Sequence, residues 1–375
     1  MKRDATQPGA PRRSLLFAAT ATLALLTALL AFSPLASGAY DPVAGGATKL
    51  TLDKGFLALL KQNKVKLLGK ESAGVKGATV TFPAIGGKLD PTTSKGFVQH
   101  AGTLVFQAGK RSIPIRALML KTTQKHSPFS VKVGGGQLKL ASAAKISTAR
   151  EGFGLEIKVT TLKLSAKVAE RLDKKLRLPG VFAEGQTIGS TVTKVNPATV
   201  TVLGAGKAGL TPNPETIAKL NELFVAVNPI FPAEHLGSAF TFPIFGGTIA
   251  TDASTGTMET NGSLELIQLS GGQVFLHEPW VDLATKTVSA EVDVEPSPPY
   301  PGKQGRLTIA DLGLAGAAIS SNPAARTVTV NNATATMQAG IAATLNEVFA
   351  KPKGKGNVFK AGDPLGALSF TAQGQ

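Results

Sequence analysis

His277-Glu278 opens like the zinc-binding helix of a metallohydrolase, in which a histidine ligand is followed by the glutamate that serves as general base. That pattern needs a second histidine four residues after the first, and the position holds Val281, so the pair has no partner for a metal. Gly204-Ala205-Gly206-Lys207-Ala208-Gly209 has the glycine spacing of a dinucleotide-binding loop and follows the strand-like Val200-Thr201-Val202. Such a loop must run straight into a helix whose first N–H groups face the pyrophosphate. Here Leu210, Thr211 and Pro212 intervene, and the segment reads as a flexible glycine linker. Neither a Gly-x-Ser-x-Gly nucleophile elbow nor a phosphate-binding P-loop occurs. The absence of cysteine removes thiolate metal sites, iron–sulfur clusters, cysteine nucleophiles and disulfide scaffolds together. The expectation is a chain with no catalytic residues, no enzymatic activity and no metal site.

Four histidines exist, His100, His126, His235 and His277. The only tyrosine besides Tyr40 is Tyr300, in the loop Pro296-Ser297-Pro298-Pro299-Tyr300-Pro301, and the only tryptophan is Trp280. Carbohydrate-stacking and base-stacking surfaces need several such rings, so nucleic acid is not an expected partner. The phenylalanines Phe82, Phe242 and Phe245 are assigned to the core. Three side chains remain as candidates for holding a ligand: His277 on a strand, Tyr300 in a later loop, and His100 by itself in the first half.

An internal repeat sets where these residues sit. Thr81-Phe82-Pro83-Ala84-Ile85-Gly86-Gly87 recurs as Thr241-Phe242-Pro243-Ile244-Phe245-Gly246-Gly247, an offset of 160 residues. With the same offset Gly96 meets Gly256, Gly102 meets Gly262, Leu104 meets Leu264 and Leu60 meets Leu220. Glycines that coincide in this way mark backbone positions that other residues occupy only at a cost. The closing segments match as well, Leu172-Asp173 with Val181-Phe182 against Leu345-Asn346 with Val358-Phe359. The expected domains are 48–205 and 210–375.

Phe129, Val131 and Val133 alternate with Ser130 and Lys132, as Val288, Ala290, Val292 and Val294 do with Ser289, Glu291 and Asp293. Period two means strands with one buried and one wet face, in antiparallel sheets. Short helices are predicted where Asn213 can cap Pro214 and where Ile217, Leu220 and Phe224 form a stripe. Leu164, Val168 and Leu172 form a second stripe, and Ile341, Leu345 and Phe349 a third. The expected fold class is mainly β, two tandem antiparallel β-sandwich-like domains, each with short α-helices.

Residues 1–39 read as a signal peptide or N-terminal anchor. Lys2, Arg3, Arg12 and Arg13 precede the apolar stretch 15–32, and Ser37-Gly38-Ala39 supplies small residues for cleavage. Arg12-Arg13 followed by Ser14-Leu15-Leu16-Phe17 also fits a loose twin-arginine signal. The expected location is extracytoplasmic, secreted or associated with the cell envelope. Residues 48–207 carry 27 Lys and Arg against 8 Asp and Glu, a net +19, whereas 208–375 carry 9 against 14, a net −5. A basic first half facing the envelope suggests attraction to anionic wall polymer or lipid headgroups, the alternative being a solvated lysine-rich face.

Taken together, the opening helix, the Phe-Pro…Gly-Gly segment, the paired Gly96…Gly102 and Gly256…Gly262, the strand Leu276-His277-Glu278-Pro279-Trp280-Val281 and the closing 345–362 segment resemble the HtaA-type domain family of haem-acquisition proteins, in two tandem copies. The resemblance implies a β-sandwich with short helices and haem as ligand, bound through a tyrosine of the opening helix and a histidine in a Gly-His turn. This chain departs at both places, offering Leu59-Leu60 and Leu223-Phe224-Val225 in the helices and Ala108-Gly109 and Gln268-Leu269 at the turns. Haem, a porphyrin or another apolar small ligand is therefore the implied ligand class, without the family's iron ligands. The other reading is a structural or adhesive surface protein whose basic first domain holds the envelope.

Overall fold

Alternating apolar and polar side chains over eight or more segments give each half of the chain enough half-buried strand to close a sheet on itself. The structure, a computed structural model, describes residues 40–123, 128–133, 136–143, 145–295 and 302–375. The expected signal segment 1–39, His126 and Tyr300 lie outside the described residues.

The first half forms β1 (Asp41–Leu52), β2 (Val65–Lys70), β3 (Gly74–Lys76), β4 (Thr79–Leu89), β5 (Gly96–His100) and β6 (Thr103–Ala108). It continues with β7 (Arg111–Lys121), β8 (Phe129–Val133), β9 (Gly136–Ala143), β10 (Ile146–Glu151), β11 (Gly154–Leu164) and β12 (Thr187–Pro197). Helix α1 (Lys54–Gln62) follows β1, and α2 (Ala166–Leu176) follows β11. The second half forms β13 (Thr199–Pro212), β14 (Val225–Ile230), β15 (Glu234–Leu236), β16 (Ala239–Ala250), β17 (Gly256–Thr260) and β18 (Ser263–Gln268). Then come β19 (Gln273–Asp282), β20 (Thr287–Val294), β21 (Lys303–Gly313), β22 (Ala318–Asn322), β23 (Thr327–Met337) and β24 (Pro364–Gly374). Helices α3 (Pro214–Glu222) and α4 (Ala339–Leu345) take the places of α1 and α2.

The two sheets have the same strand order, position by position. The first runs β7-β5-β4-β1-β12-β11-β9-β8 and closes through a further β7–β8 ladder; the second runs β19-β17-β16-β13-β24-β23-β21-β20 and closes through β19–β20. Each is an eight-stranded antiparallel barrel, with β2–β6, β3 and β10, or β14–β18, β15 and β22, attached to its wall. The mainly β, antiparallel expectation holds, and the two faces of the expected sandwich are opposite walls of one closed barrel. Inward residues supply the cores: Phe129, Val131 and Val133 are buried in the first barrel, and Val288, Ala290, Val292 and Val294 in the second.

The repeated Gly-Gly explains itself in the wall. Pairing with β5 shifts between Ala84 and Gly86, and Gly87 then adopts φ +125°; in the second barrel the same shift occurs between Ile244 and Gly246, with Gly247 at φ +114°. A Cβ at Gly87 would lie 2.2 Å from the Phe97 carbonyl oxygen, and one at Gly247 1.9 Å from that of Thr257. Glycine is required because the strand must bend while its neighbour passes within contact distance.

The helices form where capping and stripes put them. Asn213 Oδ1 accepts the Glu215 N–H at 2.8 Å, Pro214 takes the first helical position, and Leu220 is buried. Val168 and Leu172 are buried on α2, and Leu164 is buried at the end of β11. Ile341, Leu345 and Phe349 are buried too, α4 passing into a π-helical turn at Asn346–Ala350. Two aromatic expectations fail. Phe224 lies beyond the C-cap of α3 in a left-handed conformation and is 61% exposed, and Phe245 is 48% exposed at the bend of β16.

The segment Gly204–Gly209 is neither a linker nor a nucleotide loop. It lies within β13, whose pairing with β16 and β24 is interrupted there by a bulge. The first barrel ends with Pro197 and the second begins with Thr199, so of the expected limits 48–205 and 210–375, 48 falls inside β1 and 205 and 210 inside β13. With no linker the barrels touch. Thr201 donates from its backbone N–H and its hydroxyl to Asp41 Oδ1, at 3.0 and 3.1 Å. Arg150 of the first barrel donates to the Gln375 carbonyl, Gln375 Nε2 donates to Thr92 Oγ1 at 2.8 Å, and Phe153 is buried in the core of the second barrel. Burial pushes the Asp41 carboxyl above its ordinary range, opposed by the Thr201 bonds and the Arg150 charge. Among the described residues no helix is long and apolar enough to cross a membrane.

Candidate functional site

A groove of about 460 Å³ lies on the first barrel, where α1 turns into β2. Asp53 caps α1 by accepting the N–H groups of Gly55 and Phe56, which sets the helix so that Phe56 and Leu60 face inward. Leu57 and Leu60 from α1, Val65 and Leu67 from β2 and Val75 from β3 form the apolar floor. Lys61, Lys64 and Lys66 stand at its edge and are exposed. Lys64 adopts φ +53° at the turn between helix and strand, and Lys61, Lys64 and Lys66 lie within six residues. Among the described residues β2 pairs with β6 alone. The volume falls in the range of small-molecule sites, and the combination of apolar floor with cationic edge suits an amphiphilic anion.

The second barrel does not repeat the three lysines, although Lys353 from a later segment lies 5.8 Å from the ring centroid of Phe224. With the offset of 160, confirmed by the matching ladders Val65↔Ala108 and Val225↔Gln268, the lysines are replaced by Asn221, Phe224 and Ala226. In the sequence the Leu59-Leu60 region stands out only for its lack of a tyrosine. The three lysines were missed because a helix, a turn and a strand bring them to one edge, and no single period relates them.

His100 is buried inside the first barrel at 3% exposure. Its Nδ1 lies 3.1 Å from the Leu118 carbonyl oxygen and its Nε2 2.7 Å from Thr48 Oγ1, which is in turn 2.6 Å from Thr193 Oγ1. With Nδ1–H donating to the carbonyl, Nε2 accepts from Thr48, and Thr48 accepts from Thr193. Burial drives the imidazole pKa down to about 4, partly offset by the Leu118 bond, so the ring is neutral at physiological pH. Both nitrogens are engaged, and His100 fills core space instead of meeting a ligand.

His277 stands on the outer face of β19. Ser263 Oγ is 2.8 Å from its Nδ1, and its ring stacks on Phe275 at 5.6 Å between centroids, the planes 6° apart. Trp280, beyond a bulge in the same strand, is covered by the Arg306 guanidinium 3.8 Å from its ring centroid, and Glu291 lies 3.5 Å from Arg306. The guanidinium occupies one face of the tryptophan ring. His100 and His277 belong to different barrels, so the structure does not bring these two candidates together. Among the described residues no three or more His, Asp or Glu side chains gather as metal ligands would.

No protein-family model matches the chain, and no curated protein does. Among solved structures the chain is similar to the C-terminal domain of HtaA from Corynebacterium glutamicum, at 14% identity and a TM-score of 0.36, over 46% of this chain and 98% of that one. It is also similar to the N-terminal domain of HtaA from the same organism, at 14% identity and a TM-score of 0.34, over 46% of this chain and 99% of that one.

Proposed function

We propose that this chain is an exported, non-enzymatic binding protein of the bacterial envelope, whose first barrel takes up an amphiphilic anion of the haem or porphyrin class in the α1–β2 groove. The carrying observation is the groove itself, an apolar floor edged by Lys61, Lys64 and Lys66 that the second barrel replaces with uncharged residues. A porphyrin presents a flat apolar face and carboxylates on one edge. The face rests on Leu57, Leu67 and Val75, and the carboxylates meet the lysines. Among the described residues no histidine or tyrosine lines the groove, so affinity there comes from apolar contact and charge. The basic apolar N-terminal segment supports export.

Haemin and iron-free protoporphyrin, each titrated into the full chain and followed by absorbance and fluorescence, test this. Both bind with similar affinity, and changing Lys61, Lys64 and Lys66 to Gln together weakens both about tenfold, since each exposed ion pair contributes up to about 1 kcal/mol. No saturation with either compound overturns the proposal, as does a triple variant that binds as tightly as the unaltered chain. A sharp Soret band with haemin and no binding of protoporphyrin also overturns it, because that result requires an iron ligand outside the groove.

The charge distribution favours a second reading. Lys167, Lys174, Lys175 and Arg177 are exposed on and just beyond α2, and the first half of the chain is strongly basic. An adhesive role would use this face to hold anionic polymer or lipid. Co-sedimentation with anionic vesicles, strong at low salt and lost at high salt, is its expected result, because screening releases exposed charge contacts.

A further inference from the structure

The interior of the second barrel holds an apolar cavity of about 140 Å³, whereas the matching space in the first barrel is about 40 Å³. Four replacements at matching positions open it. With the offset of 160, Phe56 becomes Thr216, His100 becomes Thr260 and Phe106 becomes Leu266. Phe129 becomes Val288, because Leu120 pairs with Phe129 where Val281 pairs with Val288, and Val98 and Met258 stand opposite those two partners. The larger Phe240 in place of Val80 only partly compensates.

The two threonines at the cavity do not make it polar. Thr260 Oγ1 donates to the Pro279 carbonyl, the counterpart of the Leu118 carbonyl that His100 engages, and Thr216 Oγ1 donates to the Pro364 carbonyl at 2.5 Å. Their hydroxyls are spent on backbone oxygens, and the remaining wall is Leu, Ile, Val, Phe, Met, Ala and Pro. A cavity of this size has room for several water molecules but gives them no partners, and such cavities stay dry and accept small apolar molecules. It is too small for a porphyrin.

We infer that the second barrel is a binding site for a small uncharged hydrocarbon, a single ring or short alkyl group, seated among Leu266, Leu276, Val288 and Met337. This site is separate from the groove of the first barrel and does not depend on its ligand. The three lysines of the first barrel and the wider interior of the second set the two copies of one architecture apart.

Fluorobenzene titrated into the full chain, read by ¹⁹F NMR and by the thermal midpoint of Trp280 fluorescence, tests the inference. Trp280 lies between Pro279 and Val281, both in the cavity wall, and is the only tryptophan. The expected result is saturable binding with a raised midpoint. Val288→Phe, which restores the filling residue of the first barrel, weakens binding by roughly tenfold or more. Leu266→Phe fills the same space from another strand and decides the matter if Val288→Phe fails to fold. Absence of saturable binding to the unaltered chain overturns the inference, and so does undiminished binding by either folded variant.

Discussion

Gly247→Ala is expected to unfold the second barrel, and Gly87→Ala the first, whereas Gly77→Ala leaves both standing. The new methyl carbon would lie 1.9 Å from the Thr257 carbonyl oxygen in one case and 2.2 Å from that of Phe97 in the other. Neither oxygen belongs to a side chain that could rotate away; each is fixed in the ladder to the next strand. The φ values of +114° and +125° add strain that any residue with a Cβ would bear. Relief requires opening the wall of a closed barrel, at a cost of more than about 4 kcal/mol, a large part of a domain's total stability. Gly77 also has positive φ, +58°, but nothing lies within 4 Å of its missing Cβ, so alanine there costs only about 1–2 kcal/mol. Urea unfolding of the full chain followed by far-UV circular dichroism, with Trp280 fluorescence reporting the second barrel, distinguishes the three. Unchanged midpoints in Gly247→Ala would contradict the packing described for the bend.

Acid is expected to destabilise the first barrel through His100. The imidazole titrates near 6.5 when unfolded and at about 4 in the barrel, so the unfolded chain binds more protons between those values. The stability contributed by the neutral ring is therefore fully present above pH 6.5, declines as the pH falls toward 4, and is gone below that. The loss amounts to at most about 3 kcal/mol. His100→Thr, which installs the residue found at Thr260, removes this pH dependence while lowering stability at neutral pH through the space it leaves. Urea unfolding by circular dichroism from pH 7 to 4 measures the slope. An equal slope in the unaltered chain and in His100→Thr would show that the ring is not a buried neutral histidine. The second barrel, with Thr260 at this position, lacks this source of acid sensitivity.

Much of the architecture was legible in the order of amino acids. The 160-residue repeat, the alternation in Phe129–Val133 and Thr287–Val294, and the Asn213-Pro214 helix start rest on local chemistry, and local chemistry acts between residues close in sequence. The matching glycines announced special backbone positions, although not which contact required them. What escaped depended on residues far apart in the chain. Closure of each barrel comes from β7 against β8 and β19 against β20 in a sheet whose other seven ladders must already be in register. Phe245 points outward although Phe242 points inward, because an odd spacing of three on one strand puts them on opposite faces, and only the fold shows which face is the core. Gly204–Gly209 has a linker's composition, yet strands on both sides hold it as a bulged strand. His100 looked like a ligand because a sequence does not say which face of β5 turns inward. The lysine-edged groove and the apolar cavity likewise exist only after folding. Binding sites are made of residues from several elements, and their volumes are small differences between large, nearly filled interiors.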